Sequence, residues 1–121
     1  MDMDLAAQFT QFYYPNFAAN RAGLAVLYRD DSKLTWEGAQ VVGQAAIVEK
    51  LTTLPFEKVE HKVLTTDMQP MENNNLIIVI TGLLVIDDSR NPLQFSQAFV
   101  LKQVEQSFYV QNDVFRLNYG S

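Results

Sequence analysis

"LIIVITGLLVI", residues Leu76 to Ile86, is the stretch whose reading decides the fold. It carries no charge and is rich in β-branched residues, which marks a strand. It falls well short of the ~20 apolar residues that cross a bilayer. Alternate side chains of a strand point to opposite faces. Ile77, Val79 and Thr81 therefore share one face, and Ile78, Ile80 and Gly82 the other. An antiparallel strand with one wet face alternates apolar and polar residues. This one barely alternates, so both sheet faces are expected to be covered. Helices cover one of them. A second copy of the chain is the economical cover for the other, and a homodimer through the sheet is expected. A sheet curled tightly enough to cover itself is the alternative.

Working outward, "PFEKVEHKVLTTDMQP", "LQFSQAFVLKQV" and "SFYVQNDVFRLN" are three further strand-like runs. "MENNN", "DDSRNP" and "EQ" separate them as turns. Upstream, residues 2–19 read as an amphipathic helix with Leu5, Phe9, Phe12 and Phe17 on its apolar stripe. Gln8 and Gln11 fall on the other side, and Pro15 is expected to bend or shorten it. Asn20 reads as the N-cap of a second short helix through "RAGLAVLY". "KLTWEGAQVVG" reads as two short strands about Glu37–Gly38, and residues 44–54 as a helix stopped by Pro55. Helices first and a four-strand antiparallel meander afterwards give one α+β domain, residues 1–121, with helices on one sheet face.

Apolar residues make up 48% of the chain and charged residues 19%, a globular composition. Nine Lys and Arg are scattered among fourteen Asp and Glu, for a net charge of −5. That balance argues against nucleic acid, whose phosphates require clustered cations, and favours a basic protein partner. Membrane insertion is not expected. Without cysteine there is no disulfide framework or thiolate chemistry, and one histidine excludes the usual zinc clusters. No phosphate-cradling glycine loop and no Gly-x-Ser-x-Gly elbow occurs. No metal, cofactor or catalytic set is expected, and the composition suits an intracellular soluble protein.

One polar pair is left. Val59, His61 and Val63 share a strand face, and Asp113 shares one with Phe115. If both point into the same interior, an Asp–His pair suits general acid–base work. A buried histidine satisfied by a neighbouring carboxylate is the plainer reading.

The only tryptophan, Trp36, stands directly before Glu37 and Gly38 at a strand end. It is either core packing or the aromatic wall of a pocket whose rim carries Glu37. "IDDSRN" places Asp87 and Asp88 where the most apolar strand turns. Acids in turns are usually only solvated. If the strand ends meet, these acids and Glu37 lie on one rim.

"FTQFYY", "LTWEG", "AIVEKLTTLPFEKVEHKV", "FSQAFVL" and "NDVFRLNY" together resemble the nuclear transport factor 2 family, most of all its fungal-type members. The resemblance runs from Leu5 to Tyr119. It implies a cone-shaped fold, helices on a bent antiparallel sheet enclosing a cavity, and a homodimer through the outer sheet face. It implies no enzyme activity, but carriage of the GDP form of the GTPase Ran through contacts with Phe-x-Phe-Gly (FxFG) nucleoporin repeats. The protein would then be found in cytoplasm and nucleus and at nuclear pores. By position, Trp36, Leu54, Phe56, Val59, Ile86, Leu93, Phe95 and Phe115 would line a mouth that accepts an aromatic ring of Ran. Glu37 and Asp87 fall on the family's Ran-binding acids. A second acid is replaced by Ser89, and adjacent Asp88 is expected to stand in for it. The family's repeat-binding aromatic aligns with Asp2, flanked by the adaptable Met1 and Met3. Related domains that dimerise or serve messenger RNA export, and cavity enzymes of the same fold, are the alternatives.

Overall fold

Strand β4, Leu76–Ile86, lies one place in from the edge of the sheet in a computed structural model that describes residues 3–118. Around it lie β1 (Lys33–Trp36), β2 (Ala39–Val42), β3 (Val59–Pro70), β5 (Leu93–Val104) and β6 (Ser107–Asn118). The six strands run in the order β2-β1-β6-β5-β4-β3. β3 to β6 form the expected antiparallel meander. The sheet as a whole is mixed, which corrects the antiparallel expectation: β1 lies parallel to β6, with Leu34 opposite Asp113 and Trp36 opposite Phe115. A parallel neighbour requires a crossover, and the long excursion through β2 to β5 supplies it.

The expected division of β4 side chains between two faces is observed. Leu76, Ile78, Ile80 and Leu84 are buried under the helices, whereas Val79, on the opposite face, is 38% exposed. Its lateral neighbours Ala98 and Val114, with Ile77 beside Val100, make an apolar centre on that outer face. Asp67, Thr65 and Thr81 border it, the two threonines joined by a short hydrogen bond. Register shifts at Val63/Thr65 and Val100/Leu101 bend the sheet. At the first of these bulges a Cβ on Gly82 would stand 2.2 Å from the Lys62 carbonyl oxygen, so glycine permits the close approach.

Helix α1 (Met3–Ala19) continues through Pro15, and α2 spans Gln44–Thr52, two residues less than expected. Phe12 corrects the sequence reading of α1: it is 43% exposed, and the stripe facing the sheet is Ala6, Tyr13, Tyr14 and Phe17. The tyrosines take the inward positions because their hydroxyls find buried partners there. The segment Arg21–Leu27 is a 3₁₀ helix, and the Asn20 side chain does not cap it. The Asn20 carbonyl instead accepts the Gly23 amide at 2.9 Å. Residues 55–58, expected at the start of β3, form a loop. No described helix is long and apolar enough to cross a membrane. Met1 and Asp2 lie outside the described residues, as does the side chain of Met3.

Candidate partner-binding site

The register brings several strand ends together. Trp36 lies opposite Phe115, Leu117 opposite Phe95, Leu93 opposite Leu84, and Ile86 opposite Val59. The turn after β1, with Glu37, and the turn after β4, with Asp87 and Asp88, are therefore at the same end of the sheet. The register sets Trp36 level with Phe115, Gln97 and Ile80, so the turn at Asp87 is staggered seven residues along β4 beyond that level as well as three strands across.

Each turn is fixed by its own acid. Glu37 and Gly38 both have positive φ, 51° and 88°, the geometry of a two-residue hairpin turn. The Glu37 amide donates to the Phe115 carbonyl at 3.0 Å, and its Oε1 accepts the Leu117 amide in a short bond. Asp87 (φ 50°) accepts the amides of Glu57 and Lys58 through Oδ1 at 3.1 and 2.9 Å. Asp88 pairs with Lys58 at 3.1 Å, both side chains largely exposed. A pair so exposed contributes ~0–1 kcal/mol.

Leu54, Phe56, Asp87 and Asp88 gather, with Pro55, Glu57 and Lys58, around an open depression of about 640 Å³. Val59 lines a neighbouring hollow of about 260 Å³ with Glu57 and Lys58. Ile86 and Leu93 are half-buried against the core. Phe95 and Phe115, expected at the mouth, are completely buried and are not among the residues around the depression. Trp36 is 9% exposed and does not line the depression. Its indole stacks on Phe115, centroids 4.0 Å apart, and more loosely on Phe17 at 6.0 Å. Phe115 in turn stacks on Phe95 at 5.6 Å. The tryptophan thus follows the core-packing reading.

His61 and Asp113 both point inward, yet among the described residues no hydrogen bond joins them. Asp113 accepts from Tyr28 and Gln97 at 2.8 Å and from Tyr13 at 3.3 Å. Burial pushes its carboxyl up to about 6 despite these three donors. The same burial, then the Asp113 charge, raises Tyr13 and Tyr28 above the usual phenol range. Tyr14 donates to Oε1 of the Gln97 side chain at 2.8 Å and stacks on the His61 ring at 4.4 Å. Phe17 and Phe95 close around the imidazole edge-on. The buried Nδ1 of His61 has no partner. Burial, and then the charge of Arg21, lower His61 to about 3, so it is neutral. The acid is held by three donors and the imidazole by aromatic contacts, with no hydrogen bond between the two.

The tyrosine–glutamine network and Arg21 were not read from the sequence. A tyrosine in an apolar helix stripe looks like packing, and a lone arginine looks solvated. Among the described residues no cluster of three or more His, Asp or Glu is arranged to hold a metal.

Residues 5–117 match the family model of the nuclear transport factor 2 (NTF2) domain. The chain belongs to the nuclear transport factor 2 family. It is 51% identical to nuclear transport factor 2 of Candida glabrata, with 100% of each chain covered. It is 50% identical to the Saccharomyces cerevisiae protein, covering 97% of this chain and 94% of that one. Among solved structures, nuclear transport factor 2 of Cryptosporidium parvum superimposes with a TM-score of 0.88 at 45% identity. That match covers 93% of this chain and 90% of the other. The NTF2-like fold, with helices on an open six-stranded mixed sheet, is thereby established for this sequence.

Proposed function

We propose that the protein binds the GDP form of Ran and carries it through nuclear pores by contacting Phe-x-Phe-Gly repeats. Family membership and one geometric observation support this reading. Glu37 and Asp87 stand in separate left-handed turns at one end of the sheet, each with a carboxylate oxygen fixed by backbone amides. Asp87 borders an opening whose wall includes Leu54, Pro55 and Phe56. Acids held in this way offer register to a basic partner, because their orientation is set before the encounter. An aromatic ring buried in the opening contributes roughly 1.5–3 kcal/mol. Rim charges mainly fix orientation and speed association. A grip of this size suits a cargo that must be released. Release follows when Ran's switch region changes shape with GTP, since affinity then differs between the two states.

The carrier acts as a homodimer through the outer sheet face, where Val79, Ala98 and Val114 lie side by side. Exposed apolar residues centred on a sheet and bordered by polar ones fit a second copy better than water. The protein works without catalysis or cofactor and is placed in cytoplasm, nucleus and the pore complexes between them. The deciding experiment is a pull-down against Ran loaded with GDP and, separately, with GTP. Retention of the GDP form alone is expected. Equal retention of both forms, or of neither, rejects the carrier reading.

A further inference from the structure

Residues 53–58 connect α2 to β3 and form most of the wall of the depression. No ladder pairs this segment, so its order must come from elsewhere. One source is Arg21, the first residue of the 3₁₀ helix. Its Nη1 donates to the Leu51 carbonyl at 3.2 Å, and Nη2 to those of Phe56 and Glu57 at 3.3 Å. The guanidinium also lies against the rings of Phe17 and Phe56, 5.3 and 5.0 Å from their centroids. The second source is Asp87, which accepts the amides of Glu57 and Lys58. The residue Glu57 is thus held from both sides, its carbonyl by the arginine and its amide by the aspartate.

We propose that Arg21 is a positioning residue that clamps the 54–58 wall and, through it, fixes the Asp87 carboxylate presented to the partner. The consequence for binding rests on the carrier reading above; the clamp itself does not. Among the described residues the only ion pair is Lys58–Asp88, so the Arg21 charge is held by carbonyls and π faces and not by a carboxylate. Only a planar fork with several donors serves three carbonyls and two rings at once. Lysine, a point charge with one nitrogen, reaches part of the set. A residue that merely contributed to stability would loosen the whole domain. A clamp loosens one loop, and changes binding only while Asp87 is present to be misplaced.

Three measurements on Arg21→Met and Arg21→Lys separate these outcomes. Native-state hydrogen exchange of the Glu57 and Lys58 amides should accelerate roughly tenfold or more in Arg21→Met, the loss of a charge-assisted bond. Arg21→Lys should restore part of the protection, while amides of β5 and β6 stay unchanged. Ran-GDP should dissociate roughly tenfold faster from Arg21→Met with its association rate within about twofold. In an Asp87→Asn background the same change should add less than about twofold. Unchanged exchange at Glu57 and Lys58 overturns the clamp, as does protection lost equally across the sheet. Full additivity with Asp87→Asn overturns the route through that carboxylate. If Arg21→Met does not fold, Arg21→Lys carries the exchange comparison. Faster loop exchange in a protein whose wild type ignores Ran-GDP upholds the clamp and rejects only the carrier reading.

Discussion

The indole of Trp36 lies flat on the ring of Phe115, with centroids 4.0 Å apart and planes within 6°. The two residues are opposite one another in the parallel pair β1–β6, so the contact is also what fastens the short β1 hairpin to the meander. Removing a large, nearly buried aromatic costs its transfer energy and leaves a cavity. Trp36→Ala should lose about 3–5 kcal/mol in chemical denaturation. A loss under about 1 kcal/mol would mean that the stack contributes little to stability.

Glu37 has two separable parts, a charge and an acceptor for the Leu117 amide. Glu37→Gln keeps the acceptor and removes the charge; Glu37→Lys removes the acceptor and reverses the charge. If the rim acts electrostatically, Glu37→Gln should weaken Ran-GDP binding with little change in melting temperature. Glu37→Lys should abolish binding and cost about 1 kcal/mol through the lost turn contact. Isothermal titration checks both. Full affinity in the lysine variant would remove Glu37 from the interface.

His61 and Asp113 impose opposite pH dependences. Asp113 is raised from 3.8 to about 6, so between those values the folded protein holds more protons than the unfolded chain. Stability from this group falls as pH rises through that window. His61 is lowered from 6.5 to about 3, so there the unfolded chain holds more protons, and stability rises with pH. Between about pH 4 and 6 the two slopes, each up to ~1.4 kcal/mol per pH unit, nearly cancel. Relative to wild type, Asp113→Asn should expose a stability that rises with pH across this range. His61→Gln should expose one that falls. Parallel profiles for all three proteins in urea titrations would contradict the two shifts.

Val79 and Val114 meet across Ala98 at the middle of the outer sheet face and are 38% and 43% exposed in the isolated chain. A charge buried there without a partner is costly in an assembled dimer and harmless in a monomer. Val79→Glu or Val114→Glu should therefore give a folded monomer by sedimentation, with wild-type circular dichroism. A dimer that survives both changes would place the interface elsewhere.

The meander, its turns, the position of β4 and the two apolar faces of that strand were all legible along the chain. These features have a period of two residues and are written locally. The Glu37–Gly38 turn and the acids after Ile86 were legible for the same reason, since turn chemistry occupies adjacent residues. The positions that depended on distant partners were not. Phe12 yields the core to Tyr13 and Tyr14 because buried acceptors await their hydroxyls across the domain. His61 and Asp113, compatible in type and face, are kept apart because three other side chains occupy the carboxylate and aromatic rings enclose the imidazole. β1 beside β6, and Arg21 beneath the 54–58 wall, likewise exist only once the chain has closed on itself. Local pattern specifies which face of an element is apolar, whereas long-range packing and the satisfaction of buried polar atoms decide which residue meets it.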